Sequence, residues 1–168
     1  MDNRRRFLLS LAAASSILIS GCGFRLRGSG GSALLPFRTI HLAMAGSPLA
    51  TELKRHIVSG GDTVVVDDPR DAEAVVEVVS QGRDKKVLSL NSQGRVREYT
   101  LISRLVFQVK DGQGRILLAP TELAISRVLS FNESQVLAKE AEEASLYREM
   151  QSDLVQQVMR RLAALKPA

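Results

Sequence analysis

From Thr39 onward the chain switches between two hydrophobic rhythms, and each switch marks an element. Thr39–Met44 alternates, with Ile40, Leu42 and Met44 on one side and Thr39, His41 and Ala43 on the other, the period of a half-buried strand. Ser47-Pro48 then opens a helix, since Ser is a favoured cap and Pro a favoured first helical residue. Leu49, Leu53 and Ile57 repeat four residues apart and form one apolar stripe, which Gly60-Gly61 ends. Thr63–Val66 is β-branched throughout and predicts a short strand; Asp67–Asp71 is a polar break. Residues 74–80 and 86–90 read as halves of one long strand, with a bulge predicted at Gly82. Asn91-Ser92-Gln93-Gly94 has turn composition. Tyr99–Lys110 alternates well: Tyr99, Leu101, Leu105, Phe107 and Val109 face one way, and Thr100, Arg104, Gln108 and Lys110 the other. Asp111-Gly112-Gln113-Gly114 reads as a hairpin turn. Ile116–Phe131 is a further strand in which Pro120 requires a bulge or an edge position. Within it Leu123, Ile125 and Leu129 share a face with Arg127.

The rhythm then changes to three or four. Leu137, Ala141, Ala144, Tyr147, Met150, Leu154, Val158, Leu162 and Leu165 make the stripe of one long helix. Asn132 stands at its cap and Gln135 at the reciprocal capping position. At 1.5 Å per residue, about 30 residues reach roughly 45 Å. The predicted fold class is α+β: a mostly antiparallel sheet of four to five strands with two helices packed on one face, in β-α-β-β-β-α order. The other face of such a sheet carries more polar residues.

The N-terminus follows a different pattern. Residues 1–6 read MDNRRR, and 7–20 read FLLSLAAASSILIS without a charge. A basic segment followed by an apolar run is the pattern of a secretory signal peptide. The run of about 14 residues falls short of the roughly 20 that a spanning helix needs. Leu18-Ile19-Ser20-Gly21-Cys22 follows, and it holds the only cysteine of the chain. This stretch resembles the lipobox of bacterial lipoproteins. The resemblance implies a diacylglycerol thioether on Cys22, cleavage before it and acylation of the new amino group. One acyl chain anchors marginally, at about 0.8 kcal/mol per buried methylene, whereas three hold almost permanently. Gly23 stands where an Asp often signals retention in the inner membrane, which favours the outer membrane. Arg4-Arg5-Arg6-Phe7-Leu8 also fits a twin-arginine export signal, so the export route stays open. The expected organisation is a cleaved signal over 1–21, lipid anchor and flexible tether over 22–35, and one α+β domain over 36–168.

The whole chain carries +5, of which residues 22–168 keep about +3, because 1–21 contain three Arg and one Asp. A mildly basic, exported domain does not call for nucleic acid, but it suits anionic partners of the envelope where its cations cluster. With one cysteine, no disulfide staples the fold. His41 and His56 have no carboxylate or thiol at ligand spacing, so no metal or other cofactor is expected beyond the lipid on Cys22. No nucleophile elbow is present, and Gly28-Ser29-Gly30-Gly31 lacks the strand and helix of a phosphate loop. An enzyme is not expected. Residues 139–149, KEAEEASLYRE, read as a solvated helix face with i,i+4 pairs. Arg83, Lys85 and Lys86 lie in one arm of the hairpin about residues 91–94, and Arg95 and Arg97 in the other. Pairing brings both sets towards one end of the sheet. They suit either the phosphates of a lipid headgroup or the protection of an edge strand by charge. Spacing alone does not choose.

Several short matches decide between these readings. Cys22-Gly23-Phe24-Arg25-Leu26-Arg27 resembles the Cys-Gly-aromatic-x-Leu-Arg start of the lipopolysaccharide-assembly lipoprotein family LptE. Glu98-Tyr99, Ser126-Arg127, Phe131, Leu137-Ala138-Lys139, Glu142, Met150 and Leu162 match further along. The resemblance covers essentially all of 22–168. It implies a non-enzymatic lipoprotein held by its acyl chains in the inner leaflet of the outer membrane, facing the periplasm and the lumen of the LptD β-barrel. There it is expected to plug the barrel as a 1:1 heterodimer, assist its assembly, and bind lipopolysaccharide on its way to the outer leaflet. By the same resemblance the lipopolysaccharide contact falls near the 83–97 hairpin and the start of the last helix, with Lys139 the best-matched candidate. Ser92 stands near a position where a basic residue is expected, and Arg95 and Arg97 are the nearest substitutes. The alternative expectation is an envelope lipoprotein of similar fold with another partner.

Overall fold

The computed structural model describes residues 35–44 and 46–166. The expected signal segment 1–21, Cys22 and the expected tether up to residue 34 lie outside the described residues. The strands are β1 (Thr39–Leu42), β2 (Val64–Val65), β3 (Ala74–Leu90), β4 (Val96–Lys110) and β5 (Ile116–Ser130). The helices are α1 (Pro48–Gly60) and α2 (Val136–Ala163), with short 3-10 turns at Pro69–Asp71 and Glu133–Gln135. One five-stranded sheet runs in the order β2-β1-β3-β4-β5. β1 is parallel to both β2 and β3, while β3, β4 and β5 form a long antiparallel meander. The α+β class and the mostly antiparallel sheet are as the sequence pattern predicts.

Local chemistry explains the boundaries. Ser47 Oγ accepts from the Ala50 amide at 3.0 Å and caps α1. Asn91 closes the first hairpin by accepting from the amides of Gln93 and Arg95 at 3.0 and 2.9 Å, with Gly94 at φ +76°. Asp111 does the same for the second, towards Gln113 and Arg115 at 2.9 and 2.8 Å, with Gly114 at φ +85°. Left-handed backbone at the last turn residue is why both turns end in glycine.

Both helices cover the same face. Leu49, Leu53 and Ile57 of α1 meet Met150, Leu154, Val158 and Leu162 of α2 over Leu101, Leu105, Phe107 and Val109 of β4. Leu123, Ile125 and Leu129 of β5 complete this core. Glu52 of α1 accepts from Gln151 at 3.1 Å and from Ser152 at 2.6 Å, a polar clamp between the helices.

Three local expectations are corrected. Gly82 is not a bulge: it pairs in register with Arg104, and the register shifts lie between Val78 and Ser80 and beyond Val87. Asn132 caps the 3-10 turn through the Ser134 amide at 3.0 Å, whereas Gln135, the residue before α2, makes no side-chain cap bond. The extra turn displaces the helix start by three residues, so that Gln135 itself stands at the cap and the reciprocal geometry is broken. The start of the α2 stripe has no cover, and Leu137 is 82 % exposed. Pro120 meets both its requirements, since β5 is an edge strand and its pairing skips between Leu118 and Thr121.

Candidate functional site

β1 pairs with β3 only over Ala74–Val76, yet β3 runs on to Leu90. The β3–β4 hairpin, the end of β5 and the first turns of α2 therefore extend beyond the helix-covered core. The candidate cations gather in this free end, but on two faces. The shift at Val79 decides which. Paired residues of an antiparallel ladder share a face, so Arg83 opposite Ser103 and Lys85 opposite Leu101 point to the helix side. Asp84 opposite Ile102 and Lys86 opposite Thr100 point to the open side. Without the extra residue the alternation from Ala74, Val76 and Val78 would have placed Asp84 and Lys86 under the helix instead.

On the helix side the cations are all engaged. The Arg83 guanidinium sits 4.9 Å from the centre of the Tyr147 ring. Lys85 Nζ lies 4.3 Å from the Tyr99 ring centre and 2.5 Å from Glu143. Tyr99 in turn meets Phe131 edge to face, with centroids 5.4 Å apart and planes at 80°. Tyr147 Oη donates to the Asp84 carbonyl at 3.1 Å. Burial first, then the Glu143 carboxylate, push its phenol above the ordinary value. Arg83, Lys85, Glu140, Glu143, Ala144 and Tyr147 line a surface cleft of about 440 Å³ between β3 and α2.

Lys139 stands one helical turn before Glu143 and reaches towards β5. Its Nζ donates to Ser130 and to Glu142, each at 2.8 Å, and 15 % of its side chain is exposed. Arg95 at the hairpin tip pairs with Glu133 at 2.9 Å. Lys86 and Arg97 form no ion pair among the described residues. The structure thus brings Arg83, Lys85, Arg95 and Lys139 around the start of α2 and leaves Lys86 on the opposite face.

The open face carries its own polar lattice. Arg104 bridges Asp84 and, at 3.7 Å, Glu122. Glu77 accepts from Lys110 at 2.7 Å and Gln108 at 2.6 Å, and the Lys110 hydrogen bond, ahead of the one from Gln108, holds its carboxyl below the usual range.

Sequence reasoning missed the carboxylates that hold these cations. The Lys139–Glu142 pair has the i,i+3 spacing of helix neighbours and was open to reading. The Lys85–Glu143 pair spans 58 residues and has no local signal. Among the described residues no group of three His, Cys, Asp or Glu is placed to hold a metal. No described helix is long and apolar enough to cross a membrane.

Known proteins share both the sequence and the fold. The family model "LptE: Lipopolysaccharide-assembly" matches residues 36–162. The chain belongs to the LptE family. An LPS-assembly lipoprotein LptE of Yersinia enterocolitica is 27 % identical over 98 % of this chain and 79 % of its own length. The solution structure of an uncharacterized lipoprotein B from Nitrosomonas europaea superposes with a TM-score of 0.72 at 37 % identity, covering 85 % of this chain and 92 % of that one. A minor lipoprotein from Acinetobacter baumannii gives 0.64 at 26 % identity, covering 80 % and 98 %. Membership of LptE makes this an envelope lipoprotein of lipopolysaccharide assembly.

Proposed function

We propose that the protein is exported, loses residues 1–21, is acylated on Cys22, and rests on the inner leaflet of the outer membrane. There it plugs the LptD β-barrel as a 1:1 heterodimer, assists barrel assembly, and contacts lipopolysaccharide during its transfer to the outer leaflet. It acts by binding and not by catalysis. The observation that carries this reading is the gathering of Lys139, Lys85, Arg83 and Arg95 at the free end of the sheet, in a chain whose family works on a phosphorylated glycolipid. The lattice of Arg104, Asp84, Glu122, Glu77 and Lys110 on the open face supports contact with a polar lumen wall, where charge pairing gives specificity more than raw affinity.

The experiment is an affinity pull-down of the tagged, lipidated protein from detergent-solubilised outer membranes, with lipopolysaccharide binding measured on the recovered complex. The expected result is a stoichiometric barrel of LptD size. Lys139→Glu should keep the barrel and weaken lipopolysaccharide binding about tenfold, the worth of one charged hydrogen bond. Recovery without a barrel favours the alternative partner, and unchanged binding by Lys139→Glu removes that residue from the site.

A further inference from the structure

The sheet has two long free edges, and they are built differently. β3 beyond Val76 has no strand on its outer side, and β5 ends the sheet order. The β3 edge is broken by register shifts between Val78 and Ser80 and again beyond Val87. It also carries Arg83, Asp84, Lys85 and Lys86 in a row. Bulges and runs of charge are how an edge is kept from pairing with another chain. The β5 edge has neither device past Pro120. From Thr121 to Ser130 its register with β4 runs without a shift. The charges of that stretch are turned to their own molecule, Glu122 to Arg104 at 3.7 Å and Arg127 to Asp153 at 2.5 Å.

The backbone there offers a regular ladder. The Phe131 amide donates to the Arg97 carbonyl at 2.8 Å, so the odd-numbered residues of this stretch bond to β4. Glu122, Ala124, Ser126, Val128 and Ser130 therefore turn both N–H and C=O outward. The Ser126 carbonyl accepts from the Arg127 guanidinium at 3.1 Å, a cover that an incoming amide can displace. Ala124, Ser126 and Ser130 are small enough to let another chain approach, and Val128 is 56 % exposed.

Between this edge and α2 lies a cleft of about 350 Å³, walled on the helix side by Asp153, Gln156, Gln157 and Arg160. Their spacing puts them on one helix face. Asp153 is matched by Arg127, whereas Arg160 forms no ion pair among the described residues. The wall suits polar side chains and one carboxylate.

We infer that the β5 edge over Thr121–Ser130 accepts an extended polypeptide segment as an added strand. Alternate residues of that segment enter the cleft, where Gln156 and Gln157 hydrogen-bond them and Arg160 takes a carboxylate. The others lie beside Ala124 and Val128 on the open face. A lipid does not fit this edge, because it has no donors and acceptors alternating at strand spacing. The inference rests on the reading that the protein sits inside a barrel partner, and it names the contact made there. A closed barrel has no free strand edge to give, so the donor is a loop of the barrel polypeptide.

The test uses the full lipidated chain recovered with its barrel from outer membranes. Amide hydrogen exchange is read over residues 121–131 in the complex and in the same chain separated from the barrel. The outward amides of Ala124, Ser126 and Val128 should exchange about tenfold or more slowly in the complex. Ser126→Pro removes an outward N–H and leaves the bonds to β4 in place, so it should recover about tenfold less barrel. Gln81→Pro makes the same change on the β3 edge, since Leu105 opposite it bonds to β5, and should recover as much barrel as the parent. Arg160→Glu, at an exposed position, should lower recovery about threefold. Urea unfolding checks each variant, and where a proline variant does not fold, exchange and Arg160→Glu decide. A recovered barrel with edge amides as fast as in the separated chain overturns the inference and leaves the plug reading standing. Equal losses for Ser126→Pro and Gln81→Pro, both folded, overturn it as well. A parent chain that recovers no barrel removes the plug reading and the loop donor together; slowed exchange that then grows with the protein's own concentration assigns the edge to a second copy.

Discussion

The two ends of the sheet are built from the same strands by different forces. At the rooted end, β1, α1 and the second half of α2 enclose Ile40, Leu53, Phe107 and Leu154, none more than 1 % exposed. At the free end β3 and the first half of α2 bury little. Val87, Leu88 and Leu90 are each more than half exposed. What joins them there is ion pairs and ring contacts: Lys85 to Glu143 and Tyr99, Arg83 to Tyr147. Apolar burial cannot be exchanged for a ligand without opening a cavity, whereas a surface ion pair costs about 0–1 kcal/mol to release. The rooted end therefore supplies stability, and the free end supplies contacts that a ligand can take over.

The sharpest way to break this contrast is to cut the core at both ends. Leu154→Ala should destabilise by about 3–5 kcal/mol in urea unfolding, because the site is fully enclosed. Leu137→Ala should stay within about 0.5 kcal/mol, since its side chain is 82 % exposed. Equal losses would mean that the free end is as tightly packed as the root.

A backbone test is next in size. A Cβ on Gly112 would stand 2.7 Å from the Ala72 carbonyl oxygen and 3.2 Å from those of Arg70 and Pro69. Backbone cannot step aside as a flexible side chain can. Gly112→Ala should cost about 1–3 kcal/mol, whereas Gly82→Ala, with nothing within 4 Å, should cost far less. Thermal melts of the pair would tell whether the second turn is pinned to the Pro69–Asp71 turn as the contacts indicate.

The helix clamp is weaker. Glu52→Ala removes the acceptor of Gln151 and Ser152 and should cost about 1 kcal/mol by chemical denaturation. No loss would place the whole α1–α2 adhesion in the apolar stripe.

The smallest effect is with acid. A hydrogen bond from the Arg70 side chain holds Asp68 at about 2, below its ordinary 3.8. A carboxyl lowered on folding stabilises above its unfolded value, and that contribution is lost as pH falls through the folded value. Asp68→Asn should therefore lower stability slightly above pH 3.8, flatten the profile between pH 3.8 and about 2, and leave stability unchanged at still lower pH. A profile as steep as the parent's would assign the acid sensitivity to Glu77 and Asp111, whose carboxyls are also held below their ordinary values.

Much of this architecture was legible residue by residue. The alternation of Leu101, Leu105, Phe107 and Val109, the stripe of Leu49, Leu53 and Ile57, and the Asn91 and Asp111 turns depend on neighbours close in sequence. So does Pro120, which demands an edge or a skip wherever the strand lies. These local signals, with the stretch ending at Cys22 and the family matches, set the element order and the class of protein on their own. The candidate site was legible only as a list of cations. Their grouping into two faces depends on one unpaired residue at Val79, and a single-residue slip reverses every side chain beyond it. Alternation looks the same on either side of such a slip until the partner strand is in place. The partners of the cations were out of reach for a related reason. Lys85 and Glu143 meet only because α2 folds back over the hairpin, and charge has no periodicity that records so distant a neighbour. Sequence determined what the strands and helices are; packing decided which charges face one another, because that depends on register and on the return path of the last helix.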